Sequence, residues 1–353
     1  MADPRVENLA DILVNHSVEV QKGERVLITG SSEAAPLIRE VYRQVLRQGA
    51  KPVTQIGIPG LQRIMADEAG KEQLTDIEAE EWVMKHVDAM IQIPATVNTK
   101  ELTGVDPQKM KWVQEAWQPI QKYVMSGGIR WVLTEFPTNA TAQDAEMPLE
   151  AYEDFVYGAT NIDYAALKET MDEASAHFNK AKKVRIVAEG TDVTIDIEGR
   201  KAIVSHGKRN VPDGEFFYTP NHLKTEGTIY YDWPTVYAGQ EMQGIRLTFK
   251  EGKIVEYSAE KGEKFLEETL NTDDGSRYLG ELGIGTNFGI TKPTKSILFD
   301  EKIGGSIHMA VGAAYEEPGN QSAIHWDMVK NLKNGGEIYL DGKLVQKDGK
   351  WVF

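Results

Sequence analysis

The chain has 353 residues, no cysteine and a formal net charge of −15, a length that suits two domains better than one core. The lack of cysteine excludes disulfide bonds and thiolate metal ligands, and the acidic balance argues against nucleic acid or an anionic membrane as a partner. No apolar stretch is long enough for a membrane span, and the first residues lack a signal-peptide pattern, so we expect a cytoplasmic protein.

The first half of the chain alternates between predicted strands and predicted helices. Apolar runs of strand length occur at residues 25–30, 51–58, 87–94 and 129–136. Helical spacing of apolar residues fills the gaps, most clearly at 107–125. This alternation predicts a parallel sheet with helices packed on its faces. The turn after the first run has neither a dinucleotide-binding nor a P-loop signature, so a plain scaffold is favoured over a nucleotide site.

The pattern changes after a mostly helical segment at residues 149–183. From there on, short alternating runs with glycine-containing turns predominate, beginning with a hairpin pattern at 184–199. We therefore predict an α/β N-terminal domain with a parallel sheet over residues 1–175. A mainly antiparallel β domain of α+β type, with a few helices, is predicted over residues 176–353.

Two of the seven histidines lie in the stretch 307–327. His325 and Asp327 are separated by one residue, so in a strand both side chains project to the same face. His308 lies in another strand-like run and shares its face with the small Ala310. A single His-x-Asp fragment is more often a surface pair or a satisfied hydrogen bond than a set of metal ligands, so each fragment is weak evidence by itself.

Two glutamates are distinguished by their sequence context. Glu215 follows a Pro-Asp-Gly turn and precedes an aromatic, strand-like run, and Glu281 lies between glycines in LGELGIG. Glutamate is seldom fully buried without a partner, so an acid among these residues suggests a bound cation. A turn glutamate that faces water is the alternative.

Four stretches together resemble the M29 family of metallo-aminopeptidases, the thermophilic aminopeptidase family. They are NVPDGEFFYTP, AEKGEKFLEETLNTDDGSRYLGELGIGTN, GGSIHMAVGAAY and AIHWDMV, in the family's order and over most of residues 184–329. The first half is similar to the family's N-terminal domain only in overall pattern. The resemblance implies a metal-binding catalytic domain whose ligands are Glu215, Glu281, His308, Tyr315, His325 and Asp327. It also implies that Glu215, Glu281 and Tyr315 are the catalytic residues.

By this resemblance the chain is a homodimeric metallo-aminopeptidase acting on peptides with a free N-terminus. A ligand set of nitrogen and oxygen suits two divalent ions of zinc, cobalt or manganese, which would activate a shared water as hydroxide. Either Glu215 or Glu281 could bridge the ions while the other acts as general base, and the sequence leaves this open. The loop at 316–324 is compact, because His325 follows His308 at an offset of only 17 in the sequence, and its effect on the substrate pocket is also open.

Two other functions are compatible with the same residues. A two-metal phosphoesterase would add basic side chains for phosphate oxygens, and the nearby basic residues are few: Lys208, Arg209, Arg277 and Lys302. A non-enzymatic ligand-binding protein would leave the acids solvated and would purify without metal. We favour the peptidase.

Overall fold

The computed structural model describes residues 3–353, and their contacts divide the chain into two compact units. The first contains the described residues up to Asn161 together with Gly207–Val211, and the second contains Ile162–His206 and Pro212–Phe353. The predicted domain boundary at residue 175 lies inside a helix of the second unit, Tyr164–Phe178. This helix groups with the second unit because its buried face, which includes Phe178, belongs to that unit's apolar core.

The elements follow one another in a β/α order and then in a mainly β order. Up to Asn161 they are α1 (Pro4–Asp11), a π-helical segment (Ile12–Ser17), β1 (Arg25–Ser31), a 3-10 turn (Ser32–Ala34), α2 (Ala35–Arg47), β2 (Lys51–Gly57), α3 (Leu61–Glu68), α4 (Lys71–Thr75), α5 (Glu78–Met84), β3 (Ala89–Ile93), α6 (Pro107–Met125), β4 (Arg130–Thr134), α7 (Asn139–Asp144) and α8 (Leu149–Thr160). They continue with α9 (Tyr164–Phe178), β5 (Lys183–Ala188), β6 (Thr191–Asp196), β7 (Ile203–Ser205), β8 (Asn210–Val211), β9 (Glu215–Tyr218), a 3-10 turn (His222–Lys224), β10 (Glu226–Tyr231), β11 (Thr235–Tyr237), β12 (Gln240–Met242), β13 (Ile245–Lys250), β14 (Lys253–Ser258), α10 (Glu263–Leu270), β15 (Leu279–Gly285), α11 (Ile297–Asp300), β16 (Ser306–Gly312), β17 (His325–Asn331), β18 (Glu337–Leu340), β19 (Lys343–Lys347) and β20 (Lys350–Trp351).

The first unit is built on the predicted parallel sheet, in the strand order β2-β1-β3-β4-β8. β1 and β3 are central and largely buried, as expected for strands that are covered on both faces. β2 lies at the edge and is largely exposed. The prediction of an α/β first half is therefore confirmed, and β8 is a short fifth strand that no apolar run had indicated.

Local signals explain where α2 begins and ends. The Ser31 side chain accepts a hydrogen bond from the backbone N–H of Glu33 in the 3-10 turn before the helix. Gly49 lies just after the helix with a φ of +75°, a conformation that glycine adopts without the steric cost of a Cβ.

The second unit contains two antiparallel sheets and a separate β11-β12 hairpin. The larger sheet has the order β14-β13-β10-β6-β5-β18-β19-β20, and the smaller has the order β17-β16-β15-β9-β7. Apolar side chains from both sheets, α9 and α10 form one buried cluster. Full burial of each large apolar side chain contributes about 1.5–3 kcal/mol to stability. This cluster therefore holds one face of the smaller sheet in place, and the polar residues on the opposite face are positioned by it.

The structure agrees with the predicted mainly antiparallel second half. None of the helices within residues 3–353 combines the length and the apolar character needed to cross a membrane.

Candidate metal centre

Polar side chains of the smaller sheet converge on one of its faces. Antiparallel neighbours that lie directly opposite each other project to the same side, and the register pairs Glu215 with Gly285, Gly283 with His308, and Ala310 with Asp327. The alternate residues of these strands project to the other face and join the apolar core. The sheet therefore brings together Glu215, Glu281, His308, His325 and Asp327, which are five of the six ligands expected from the sequence.

Two features of β15 make room for the imidazole of His308. A Cβ at position 283 would lie only 1.9–2.0 Å from the Cε1 and Nε2 atoms of His308, so glycine is required opposite the histidine. The register also shifts between Leu279 and Glu281, a local bulge that places Glu281 opposite Ala310. Small residues beside the histidine and the glutamate thus determine the shape of the site.

The carboxyl group of Glu281 lies between the two histidines. Its Oε1 is 2.9 Å from Nε2 of His308, and its Oε2 is 4.0 Å from Nε2 of His325. His308 Nε2 is also 3.4 Å from Oε2 of Glu215, and His325 Nε2 is 3.2 Å from Oδ2 of Asp327. One glutamate oxygen therefore faces each imidazole.

Backbone carbonyl oxygens orient both imidazoles. Nδ1 of His308 lies 3.0 Å from the carbonyl oxygen of Glu301, and Nδ1 of His325 lies 2.7 Å from that of Ala313. A hydrogen bond donated by Nδ1–H to a carbonyl is the usual way in which a ligating histidine is oriented. In both residues this arrangement directs Nε2 toward the carboxylates.

The geometry groups possible ligand atoms into two overlapping sets. Glu215, Glu301 and His308 form one set, and Glu281, His308 and Asp327 form the other, with the ligand atoms of each set within 4.8 Å of one another. Glu301 was missed by the sequence analysis. It lies just after the four-residue helix α11, whose end is anchored because Asp300 accepts hydrogen bonds from Thr294 and from the backbone N–H of Lys295.

Buried polar atoms test whether this site fits a cation. Four buried polar atoms of this site make no contact of hydrogen-bond geometry with residues 3–353: Glu215 Oε2, Glu281 Oε2, His325 Nε2 and Asp327 Oδ1. An unsatisfied buried polar group destabilises a fold by about 1–3 kcal/mol. Four of them facing one another are the donor atoms that a divalent cation would satisfy, so the residues present fit the metal implied by the resemblance.

The pKa values of the site residues are shifted because carboxyl groups are buried close together. Burial raises the pKa of Glu215 to about 8, and burial also raises the pKa of Glu281. Although burial opposes it, the negative charge of Glu215 and the contact with Glu281 raise the pKa of His308 to about 10. In the same way Asp327 raises the pKa of His325 to about 9. Protons thus balance the carboxylates at neutral pH, and a bound cation would displace them.

Tyr315 lies at the rim of this site, on the loop after β16. Its ring centre is 4.5 Å from that of His325 and 6.0 Å from that of Phe217. The residue as a whole is 59% exposed. Burial on its inner side and the charges of Asp327 and Glu281 raise the pKa of its phenol, so the hydroxyl keeps its proton and can donate a hydrogen bond.

The compact loop 316–324 is fixed by hydrogen bonds at several points. The Asp273 carboxylate accepts hydrogen bonds from the backbone N–H of Ala323 at 2.6 Å and from Ser322 Oγ at 2.8 Å. The Asn320 side chain donates to the carbonyl oxygens of Gly275 and Gly312. These contacts anchor the segment that leads into His325.

The basic residues near the predicted ligands are in different environments. Lys302 is fully buried and contacts Glu215 and Glu301. Lys208 pairs with Glu19 of the first unit, and Arg277 donates to the Asn271 side chain. Of these three, Lys302 alone contacts the candidate metal centre, and its ammonium group already forms ion pairs with two carboxylates.

The first unit also contains a cavity of about 540 Å³. It lies where β1, β2 and β3 end, and its lining includes Ser31, Gly57 and Asn98. Ligands of open α/β sheets bind at this edge. Among the described residues that line it, Glu101 is the one charged side chain. The cavity therefore has no basic group for a phosphate, in keeping with the scaffold interpretation of this half.

Comparison with known proteins gives a match over nearly the whole chain. The family model described as thermophilic metalloprotease (M29) matches residues 2–351. Aminopeptidase 2 of Geobacillus stearothermophilus is 27% identical, over 99% of this chain and 95% of that protein. Aminopeptidase T of Thermus thermophilus is 26% identical over 98% of both chains. Aminopeptidase AmpS of Bacillus subtilis is 25% identical, over 99% of this chain and 98% of that protein.

Solved structures share the fold. Wild-type AmpT from Thermus thermophilus aligns with a TM-score of 0.86 and 24% identity over 99% of both chains. The 2,5-dihydroxypyridine dioxygenase of Pseudomonas putida KT2440 aligns with a TM-score of 0.61 and 15% identity, over 98% of this chain and 96% of that one. The predicted arrangement of an α/β part and a mainly antiparallel part is thus found in solved proteins.

Proposed function

The chain belongs to the M29 family of metalloproteases and is therefore a peptide-bond hydrolase, and we propose that it is an aminopeptidase that uses two divalent cations to remove N-terminal residues from peptides. Relatives named as aminopeptidases support this substrate class. The observation that carries the proposal is the Glu281 carboxyl group, whose two oxygens face Nε2 of His308 and Nε2 of His325. This arrangement suits a carboxylate that bridges two ions.

The ligands divide between the two ions in a simple way. Glu215, Glu301 and His308 would hold one ion. His308 belongs to both sets, and Nε2 of His325 lies 3.2 Å from Oδ2 of Asp327. His325 and Asp327 would therefore hold the other ion, with Glu281 shared between the two ions. A set of nitrogen and oxygen ligands without sulfur suits zinc, cobalt or manganese.

The side chains of the site would carry out binding and proton transfer. When bound, the two cations would supply the Lewis acidity that ionises a water at neutral pH and polarises the scissile carbonyl. Because the carboxyl group of Glu281 lies between the two imidazoles, we assign Glu215 the role of accepting the proton of the attacking water and donating it to the leaving amine, through the carboxylate oxygen that does not contact an ion. Tyr315 would donate its phenolic hydrogen to the oxyanion of the tetrahedral intermediate.

The charge of the site would favour substrates with a free N-terminus. Four carboxyl groups, those of Glu215, Glu281, Glu301 and Asp327, contribute to the two ligand sets. A free α-amine can bind a metal ion when it is neutral or pair with a carboxylate when it is protonated. An acylated amine is an amide and can do neither. N-acetylated peptides should therefore be poor substrates.

The test of the proposed function is the reversible loss of activity on metal removal. Protein stripped with EDTA should not release chromophore from leucyl anilide. Activity should return on addition of zinc, cobalt or manganese. N-acetyl-leucyl anilide and a phosphodiester serve as control substrates. Folded protein that hydrolyses neither anilide with any of the metals would overturn the proposal, and metal-dependent cleavage of the phosphodiester alone would indicate a phosphoesterase.

Tyr315→Phe tests the hydroxyl group at the rim. Loss of one oxyanion donor lowers kcat on the order of 10²-fold, and we expect KM to stay within about threefold because the ring remains in place. Steady-state kinetics on leucyl anilide measure both constants. Tyr257→Phe, on β14, is the matched control and should leave both constants unchanged. A Tyr315→Phe enzyme with an unchanged kcat would exclude the assigned role.

The resemblance also implies a homodimer in the cytoplasm, and both remain part of the proposal. Sedimentation analysis of the purified chain would measure the first, and fractionation of the source cells the second.

A further inference from the structure

We propose that Lys302 acts as a built-in cation within one ligand set and makes the two metal ions bind with unequal affinity. The inference rests on the proposed two-ion site and concerns how that site fills. The first ion would bind tightly where Lys302 makes no contact, and the second would bind weakly where its ligands are already paired with the lysine.

Lys302 forms ion pairs with two residues of one ligand set. The residue has no exposed surface. Its Nζ lies 3.5 Å from Oε1 of Glu215 and contacts Oε1 of Glu301. Both glutamates belong to the set completed by His308. Two of the three residues that would hold this ion are therefore already paired with a positive charge.

The other ligand set lacks such a partner. The ion pairs of Glu281 and Asp327 are made with His308 and His325. Within residues 3–353 no lysine or arginine lies within ion-pair distance of either carboxylate. The charge of Lys302 reaches Asp327 only at longer range. A cation that arrives at this set therefore does not compete with an ammonium group in ion-pair contact with its ligands.

Because Lys302 lies beside only one ligand set, electrostatics predicts that the two sets bind a metal ion with unequal affinity. An ammonium group beside a metal ligand repels an incoming divalent cation and occupies oxygens that the cation needs. The effect is strong because the side chains are buried, where charges are poorly screened. A divalent ion can bind the Glu215–Glu301 set only by displacing Lys302 or by sharing its ligands.

A purely structural lysine would behave differently. If Lys302 only held Glu301 and Glu215 in position, removing it would disorder these ligands and weaken metal binding. If it competes with the second ion, removing its charge should strengthen binding of that ion. The sign of the change in affinity separates the two roles.

The test is a metal titration that does not depend on catalysis. Metal-free protein is titrated with Co²⁺, and bound cobalt is followed by calorimetry and by elemental analysis of the equilibrated protein. For the wild-type chain we expect one tight ion and a second that binds at least tenfold more weakly. In Lys302→Met the second ion should bind at least tenfold more tightly, while the first changes less than threefold.

Lys330→Met is the matched control. Lys330 is also a buried lysine of the second unit, and its Nζ pairs with Asp232 at 3.3 Å rather than with a metal ligand. This variant should retain the wild-type pattern of one tight and one weak ion. Any change in cobalt affinity in Lys330→Met measures the effect of removing a buried lysine charge that does not contact a metal ligand.

The outcomes separate this inference from the proposed function. Two wild-type ions of equal affinity, together with metal-dependent peptidase activity, would overturn the inference alone, and this result does not require any variant to fold. Weaker or unchanged binding of the second ion in folded Lys302→Met would also overturn it. Protein that binds no cobalt would overturn both the inference and the two-ion function.

Discussion

Replacing Glu281 by glutamine is expected to lower kcat/KM on the order of 10³–10⁴-fold and to reduce the number of bound ions. Glu281 Oε1 contacts His308 and Oε2 faces His325, so each oxygen of its carboxylate lies toward a different imidazole. Glutamine has nearly the same shape but cannot offer two anionic oxygens. Kinetics on leucyl anilide and elemental analysis of equilibrated protein measure the two effects.

A surface glutamate of the same unit provides the control for this substitution. Glu256 is exposed on β14, and Glu256→Gln should leave kcat/KM and metal content unchanged because surface substitutions rarely matter. Glu281→Gln that keeps both ions and stays within tenfold of wild-type activity would show that Glu281 does not bridge.

Replacing Glu301 by glutamine is expected to lower kcat/KM on the order of 10²–10³-fold. Its side chain supplies a ligand atom to the set with Glu215 and His308. The backbone carbonyl oxygen of Glu301, which orients Nδ1 of His308, is retained in the variant. The substitution therefore tests the Glu301 carboxylate alone, because the backbone contact that orients His308 is kept. The same kinetic and metal measurements apply.

Glu316→Gln is the matched control for Glu301. Glu316 is exposed on the loop after β16, beside Tyr315, and it belongs to neither ligand set. Its variant should behave as wild type. If Glu301→Gln matches Glu316→Gln in activity and metal content, then Glu301 is a solvated neighbour of the site and not a ligand.

The elements of the first half were predictable because buried parallel strands are nearly continuous apolar runs. The run at 25–30 became β1 and the run at 129–136 contains β4. Alternating runs in the second half predicted the β5-β6 hairpin in the same way. β8 escaped prediction because a two-residue strand has no periodicity to detect, and its pairing with β4 depends on a return of the chain from the second unit.

By itself, the sequence determined the class of each half, the lack of thiolate ligands and the candidate ligand positions that match the family motifs. Tertiary structure alone decided that Gly283 faces His308, that Glu301 joins Glu215, and that Lys302 is buried between them. The physical reason is that strand periodicity is local and visible along the chain. Cross-strand register, a bulge and a charged pair after a short helix depend instead on which segments pack together.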